Sequence, residues 1–149
     1  MAERDPQRRD ELGDEIVALM GPLVQSIRAT FAACAGELGL AFSDAQALWV
    51  LETRQSVSTK ELARALDIDP ANASTLITRL EGRGLVRRAA ARDDRRKRVT
   101  SITARGRRTR ARLAACIAER RPSFSALTTA ELATFRDLLR RVADARSDT

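Results

Sequence analysis

Residues 80–106 read LEGRGLVRRAAARDDRRKRVTSITARG, and this stretch decides the fold. Gly82 and Gly84 end a helical pattern, and residues 85–88 then predict a short strand. Over residues 98–103, Val, Ser and Thr alternate with Thr and Ile, a β-branched pattern that is typical of a strand. A strand, a charged loop and a second strand therefore predict a β-hairpin that follows a helix.

Two short helices are predicted directly before this hairpin. Ser58 begins the first, because Glu61 lies three residues later in a capping-box pattern. Asp69 suits the N-cap of the second, and Pro70 suits its first position, where a missing N–H costs nothing. Two short helices with a tight turn, followed by a hairpin, predict a winged helix-turn-helix in a mainly α fold with a small β-hairpin wing.

Longer helices flank this unit. Ser43, with Gln46 three residues on, predicts a helix start by another capping box. Thr103 and Thr128 are predicted to cap the last two helices, and Gly21-Pro22 predicts a kink or break in the N-terminal one. The apolar stripe of that N-terminal helical region consists of Ile16, Leu19, Met20, Leu23, Val24, Ile27, Phe31, Cys34 and Leu38.

The net charge of +7 is unevenly distributed. Residues 83–112 hold thirteen basic and two acidic side chains, whereas the rest holds fourteen basic and eighteen acidic ones. Such a block indicates a local polyanion site, with a solvated arginine-rich face as the alternative. The arginines at the C-terminal end of this block either contact DNA or form ion pairs with acidic residues of the N-terminal segment, and we favour the ion pairs. The arginines are Arg105, Arg107, Arg108, Arg110 and Arg112, and the acids are Asp10, Glu11, Asp14 and Glu15.

Composition disfavours several function classes. Histidine is absent and there are two cysteines, so we predict no metal site and no cofactor. Without a histidine base, a phosphate-binding loop or a nucleophile motif, we predict no enzymatic activity. The charged N-terminus is not a secretory signal, and no 18-residue apolar run is present. We therefore expect a cytoplasmic protein that does not interact with a membrane.

The two cysteines, Cys34 and Cys116, are too few for a disulfide framework. Cys34 lies on the apolar stripe, and a buried cysteine behaves as a small hydrophobic side chain. Oxidation sensing by either cysteine is the less favoured alternative, which the sequence leaves open.

The stretch 80–106 resembles the multiple-antibiotic-resistance regulator (MarR) family of bacterial transcription factors. It shows that family's helix end, Gly-Leu-Val strand, Asp-Arg-Arg wing at 94–96, and strand ending in Leu-Thr before a glycine. Ile102-Thr103 stands for the Leu-Thr pair, and Gly106 occupies the glycine position. The resemblance covers residues 12–142 in element order and length, and departs from the family's continuous first helix at Gly21-Pro22.

The resemblance implies a homodimeric winged-helix regulator of transcription, more often a repressor than an activator, that binds palindromic double-stranded DNA. The family's first, fifth and sixth helices form its dimer interface. We accordingly expect an N-terminal helical dimerisation region at 1–42, a winged helix-turn-helix DNA-binding domain at 43–104, and C-terminal dimerisation helices at 105–149. The alternative function is a winged-helix module that binds a protein or coats DNA without sequence preference.

The second helix of the pair is predicted to enter the major groove, where Asn can read adenine and Arg can read guanine or hold a phosphate. A merely solvated helix face is the alternative. The predicted recognition residues are Ala71, Asn72, Ser74, Thr75, Thr78 and Arg79. Residues at the start of the first short helix are predicted to bind phosphates through side chains and amides. These are Ser58, Thr59 and Lys60.

The family's motif places Arg96 at the wing tip, in the minor groove, whose negative potential favours an inserted arginine. Asp94 would pair with Arg96 and fix the orientation of its guanidinium. The flanking cations are predicted to supply a phosphate-attracting field, although Arg98 can also be a strand residue without DNA contact. These cations are Arg92, Arg95, Lys97 and Arg98.

Members of the family often release DNA when a small aromatic anion enters a pocket between the dimerisation and DNA-binding parts. Phe31, Phe42 and Trp49 are the candidate lining residues here, with Arg28 as the anion partner. A purely structural role of the three aromatic side chains in the core is the favoured alternative.

Overall fold

The computed structural model describes residues 6–90, 98–120 and 124–147. Within these ranges it contains six helices and one two-stranded antiparallel sheet, which confirms the predicted fold class. The elements are α1 (Pro6–Glu37), α2 (Phe42–Thr53), α3 (Thr59–Leu66), α4 (Pro70–Gly82), β1 (Val86–Ala90), β2 (Arg98–Ile102), α5 (Ala104–Arg120) and α6 (Thr129–Ser147).

The hairpin stem forms as predicted and is fastened to the loop before α3. β1 and β2 pair antiparallel, from Val86 opposite Ile102 to Ala90 opposite Arg98. Val57 adds an isolated bridge, because its N–H and C=O both bond to Thr100, at 3.0 and 2.7 Å. Val57 and Thr100 are both buried, so the base of the wing is held rigidly against the helix-turn-helix.

Both helices of the helix-turn-helix begin where the sequence predicts. The Ser58 Oγ accepts the Glu61 N–H at 3.2 Å, and the Ser58 N–H donates to the Glu61 carboxylate at 2.7 Å. The Asp69 carboxylate accepts the Asn72 N–H at 2.9 Å. Between them, Asp67 has a φ of 53° and turns the chain sharply from α3 to α4. The predicted inner face of α4 is fully buried and consists of Ala73, Leu76, Ile77 and Leu80.

Gly106 allows α5 to leave the wing in direct contact with the strand before it. A Cβ at this position would lie 2.1 Å from the Leu85 carbonyl oxygen and 2.7 Å from the Ile102 side chain. The Thr103 Oγ1 accepts the Gly106 N–H at 3.0 Å and so caps α5, as predicted. Leu113, two turns further along α5, is buried in the hydrophobic core.

Of the predicted kink or break at Gly21-Pro22, the break does not occur, because α1 runs without interruption from Pro6 to Glu37. Proline removes one amide donor and leaves the carbonyl of Ala18, four residues earlier, without its helical partner. Ala18 and Pro22 are both exposed, so water can solvate that carbonyl. Pro22 therefore destabilises the helix only slightly.

The start of α2 also differs from the prediction. The helix begins at Phe42, one residue before the predicted cap Ser43, and its N-cap residue is Ala41. Ala41 has no side-chain oxygen, so the cap is one-sided: the Asp44 carboxylate accepts the Ala41 N–H at 3.3 Å. Asp44 is only 1% exposed, and it takes the role predicted for Gln46 because an arginine of α4 holds it in place.

Most of α1 and all of α6 lie outside the core. The only buried residues of α1 are Cys34 and Ala35, and among the side chains described in α6 none is buried. Their exposed apolar side chains include Ile16, Val17, Leu19, Leu138 and Val142, each between 50% and 70% exposed. In a single chain these helices therefore present unpaired apolar surface.

By length and composition alone, α1 is capable of crossing a membrane, because an 18-residue window has a mean hydropathy of 1.4. This is weak evidence, and the pattern of α1 contradicts it. Its large apolar residues follow one face, whereas Asp14 and Gln25 lie on the opposite face. A one-sided stripe is typical of a helix that packs against protein, so the prediction of no membrane-spanning helix is retained.

The prediction that Cys34 behaves as a free hydrophobic side chain is wrong. Cys34 is buried, but its sulfur is bonded to that of Cys116, with a Cα–Cα distance of 5.8 Å. The bond joins the last turn of α1 to the second half of α5. No local sequence pattern predicts this disulfide, because 82 residues separate the two cysteines in sequence.

Candidate nucleic-acid interface

The face of α4 opposite the core is continuous, polar and exposed. All six predicted recognition residues lie on it: Ala71, Asn72, Ser74, Thr75, Thr78 and Arg79. The burial of the opposite face fixes their direction, since every third or fourth residue of α4 is anchored in the core. The structure thus brings the predicted set together on one surface.

Several of these side chains are already held in place by neighbours. The Asn72 amide nitrogen donates to Asp69, and the Thr75 and Thr78 hydroxyls donate to the Ala71 and Ser74 carbonyls at 3.1 and 3.0 Å. The threonine oxygens keep acceptor capacity. A base or phosphate would therefore meet pre-oriented groups rather than freely rotating ones.

Arg79 has a structural role that the sequence did not reveal. Its Nε and Nη2 both donate to the buried Asp44 carboxylate, at 3.0 and 2.5 Å from Oδ1. These hydrogen bonds raise the pKa of Arg79 above its usual value. The pair locks α4 to α2 and limits how far the guanidinium can reach outward. A DNA contact by Arg79 stays a prediction.

Arg88 is a candidate that the sequence analysis missed. Its Nη2 donates to the Thr78 Oγ1 at 2.8 Å and to the Ser74 carbonyl at 3.2 Å, so its charge lies on the exposed polar face of α4. Glu81 holds it from the other side, at 3.8 Å from Nε. The alternation of the strand could have indicated this position. Arg88 lies on the same side of β1 as the buried Val86, and β1 packs against α4.

The start of α3 presents the three predicted phosphate ligands together. Ser58 and Thr59 are half-buried and Lys60 is exposed. Backbone amides point outward at a helix N-terminus and attract anions. Glu61 occupies part of the same site, and its hydrogen bonds from Ser58 lower its pKa. A phosphate would bind beside this carboxylate, so we expect Lys60 and Thr59 to contribute more than Ser58.

The tip of the wing lies outside the described residues. This applies to Arg92, Asp94, Arg95, Arg96 and Lys97, whose roles remain predictions. The stem places the two ends of that segment side by side, because Ala90 pairs with Arg98. Arg98 is exposed at the first position of β2.

The four predicted effector-pocket residues come together at the junction of α1 and α2. The rings of Phe31 and Phe42 lie 5.0 Å apart in an edge-to-face arrangement, and Trp49 lies 6.4 Å from Phe31. The Arg28 guanidinium lies 5.3 Å from the centre of the Phe42 ring. All four residues retain some solvent exposure, so the cluster is not sealed in the core.

Arg110 of α5 completes this cluster and was not singled out for it. Its guanidinium stacks on Trp49 at 4.1 Å, and its Nε lies 2.6 Å from the Glu52 carboxylate. The Nε–H does not point at that oxygen, so the attraction is one of charge rather than a hydrogen bond. The favoured pairing of the block's arginines with the N-terminal acids is therefore wrong for Arg110, whose partner is Glu52.

A cavity of about 730 Å³ lies beside this cluster, between α2, β2 and the start of α5. Glu52 lines it together with Arg87 and Arg107. The aromatic residues themselves do not line it, so Glu52 is the link between the cavity and the aromatic cluster. The arrangement suits a ligand with an aromatic part and an anionic part.

Comparison with known proteins identifies the fold and its family. A model of the MarR family matches residues 38–97, which run from the end of α1 to the wing. A solved probable transcriptional regulator from Pseudomonas aeruginosa is 30% identical, with a TM-score of 0.65 over 88% of this chain and 98% of that one. The chain belongs to the MarR family. A search of curated proteins found no match.

Two further similar structures are of proteins for which a small-molecule ligand is named. CouR from Rhodococcus jostii RHA1, solved with p-coumaroyl-CoA, is 25% identical, with a TM-score of 0.71 over 89% of this chain and 94% of CouR. BpsR from Bordetella bronchiseptica, whose DNA binding is regulated by 6-hydroxynicotinic acid, is 26% identical, with a TM-score of 0.65 over 87% of this chain and 93% of BpsR. CouR has also been solved as a repressor on a 23-mer DNA duplex, a structure with 24% identity to this chain.

Proposed function

We propose that this MarR-family protein is a homodimeric, sequence-specific regulator that represses transcription from a palindromic operator and is released by a small aromatic anion. The observation that carries the proposal is the exposed polar face of α4, presented beside a rigid hairpin stem in a strongly basic part of the chain. No step of this function requires catalysis or a cofactor. Chromosomal DNA as the partner implies a cytoplasmic location.

The dimer is supported by apolar surface that one chain leaves uncovered. Val17 is 70% exposed and Val142 is 65% exposed, at opposite ends of the sequence. Exposed apolar patches of this extent mark an interaction surface, and self-association about a two-fold axis covers both stripes at once. This supports dimerisation through residues 1–42 and 105–149, with residues 43–104 left to bind DNA.

DNA recognition follows from the placement of three elements. We assign the recognition residues of α4 to the major groove and Arg96, oriented by Asp94, to the minor groove. The start of α3 would fix the register by binding phosphates. Arg88 joins this set, because its guanidinium lies on the α4 face between the major-groove residues and the wing.

The release mechanism is supported by the aromatic cluster at the junction of α1, α2 and α5. Phe31, Phe42 and Trp49 offer ring faces, and Arg28 and Arg110 offer positive charge to an aromatic acid or thioester. The ligands of CouR and BpsR are aromatic compounds of this kind. A ligand that displaced Arg110 from Trp49 would shift α5, which follows directly after β2 of the wing.

Footprinting of the protein on the intergenic DNA beside its own gene tests the proposal. We expect one protected site with two related halves, and an affinity that falls with salt by a log–log slope of about −0.9 per phosphate contacted. Uniform protection without a discrete site would favour the non-specific module instead. Adding small aromatic acids should release the site, and Arg28→Ala should weaken that release without weakening DNA binding.

A further inference from the structure

Four arginines line a second cavity, which lies between the end of α1, the end of α4 and the first half of α5. Its volume is about 570 Å³. Arg105, Arg108 and Arg112 are spaced three and four residues apart on α5, so they project from one face of that helix. Arg83, just after α4, completes the set. Among the described residues, this lining carries four positive charges and one carboxylate, that of Glu37.

The carboxylate in the lining is already bound by a further arginine. Both terminal nitrogens of Arg120 donate to Glu37, and Nη2 lies 3.1 Å from Oε2. Arg120 does not line the cavity. The charge of Glu37 is therefore balanced from outside, and the four arginines of the lining keep a net positive charge.

The acidic residues of the N-terminal segment do not neutralise this cavity within one chain. Glu11 binds Arg8, one turn away at the start of α1. Because α1 is continuous, Glu15 lies 22 residues before the end of the helix at Glu37, which is about 33 Å along its axis. In the part of the chain that the structure describes, no carboxylate forms an ion pair with the three cavity arginines of α5.

Two glycines leave room for guanidinium groups of this set. A Cβ at Gly39 would lie 3.6 Å from Arg83 Nη2, and a Cβ at Gly84 would lie 4.0 Å from Arg105 Nη1. The Arg83 Nη1 donates to the Gly39 carbonyl at 2.7 Å, and its Nη2 donates to the Leu38 carbonyl at 3.4 Å. These bonds hold Arg83 in place, and its guanidinium carries further N–H donors for a ligand.

The cavity lies away from the surface that we assign to DNA. Leu85, in its lining, lies just before β1 at the base of the hairpin, whereas the tip follows Ala90 at the other end of the stem. Arg83 follows the last turn of α4, whereas the predicted groove contacts begin at Ala71, about 18 Å back along the helix. This placement favours an anion other than operator DNA.

We propose that this cavity is a binding site for a small molecule that carries a diphosphate group. Guanidinium groups bind phosphate oxygens through paired N–H donors, and a diphosphate balances several arginines where a single carboxylate balances one. The volume is typical of sites for small organic ligands, so a nucleotide-sized molecule can be accommodated. The site is separate from the aromatic cluster, because Arg110 lies two positions from both Arg108 and Arg112 and so leaves α5 on the opposite side.

Isothermal titration calorimetry with inorganic pyrophosphate tests the site on the full-length protein at low salt. We expect saturable binding to one site per chain, and a loss of about tenfold in affinity for Arg108→Ala and again for Arg112→Ala. Both side chains are exposed, so the variants should keep the far-UV circular dichroism of the wild type. Arg64→Ala removes the same charge from an exposed position of α3 and should bind pyrophosphate like the wild type.

Two results of this titration would overturn the site. One is the absence of saturable binding by the wild type. The other is an equal loss in Arg64→Ala and Arg108→Ala, because pyrophosphate would then respond only to the net charge of the protein. Arg108→Lys keeps the charge without the paired donors, so its affinity should lie between those of the wild type and Arg108→Ala.

Further titrations separate the sources of the diphosphate and the competing uses of the arginines. Binding of adenosine diphosphate as well as pyrophosphate would indicate an organic ligand, and binding of pyrophosphate alone would indicate the free ion. Pyrophosphate should still bind in the presence of excess duplex DNA, and complete displacement would make these arginines DNA contacts instead. If Arg108→Ala weakens self-association in sedimentation velocity but leaves pyrophosphate affinity unchanged, the arginines pair with acids of a second copy and the proposal fails.

Discussion

Removal of the Arg79 guanidinium would leave a carboxylate unpaired in the core between α2 and α4. In Arg79→Ala, Asp44 loses three close contacts, to Nε and Nη2, and keeps only the Ala41 N–H at 3.3 Å. Asp44 is 1% exposed, so water does not replace those donors readily. We therefore expect Arg79→Ala to destabilise the protein well beyond an ordinary surface substitution.

The size of this loss of stability depends on how deeply Arg79 and Asp44 are buried. Breaking a fully buried ion pair by removing one partner costs about 3–5 kcal/mol. The Arg79 side chain is 45% exposed, so solvent reaches the edge of this pair and lowers the cost. We expect about 2–3 kcal/mol, which corresponds to a fall in Tm of about 5–10 °C for a chain of this size.

Urea unfolding followed by far-UV circular dichroism measures this cost, at one fixed protein concentration because association contributes to stability. Arg64→Ala is the matched control, since Arg64 is an exposed helical arginine of α3, and it should change stability by less than about 0.5 kcal/mol. In Asp44→Ala/Arg79→Ala the loss should be smaller than the sum of the single losses. An Arg79→Ala cost as small as that of Arg64→Ala would refute the structural role.

Gly106, Glu61 and Arg96 each give a further prediction. Gly106→Ala should cost about 3 kcal/mol or more in urea unfolding, because its Cβ meets a backbone carbonyl, whereas Gly82→Ala, with nothing within 4 Å, should be nearly neutral. Glu61→Gln should make the fall of Tm at acid pH shallower. Because the pKa of Glu61 is lowered in the folded state from its usual value of 4.5, the ionised carboxylate stabilises the fold above about pH 4.5. That contribution is lost as the pH falls through the folded pKa. Arg96→Ala should abolish operator shifts in gels while leaving far-UV circular dichroism unchanged, and unaltered shifts would remove Arg96 from the minor groove.

The parts that the sequence predicted well are governed by local contacts. Ser58 and Asp69 cap their helices through residues only three positions away, and the spacing of apolar residues in α4 fixes its buried face. Such features can be read from short windows, which is why the helix-turn-helix and the hairpin stem were predicted. Gly106 was expected from the family resemblance rather than from local contacts, because the Leu85 carbonyl that it approaches lies 21 residues earlier.

The parts that it missed depend on partners distant in sequence. Asp44, rather than Ser43, organises the start of α2, because Arg79 lies 35 residues away in sequence but beside it in space. Arg110 is one of many arginines in its block, and only the packing of α5 on α2 selects it to stack on Trp49. The pairing of Cys34 with Cys116 required the same kind of long-range information.

Two long-range contacts of the chain originate from one short part of α1. Phe31, which carries the aromatic cluster, and Cys34, which carries the disulfide, are three residues apart and so face the same side of the helix. Both connect α1 to α5, one through Trp49 and Arg110 and the other through Cys116. Since α5 follows directly after β2, a ligand at the aromatic cluster would act on the junction between α1 and the wing.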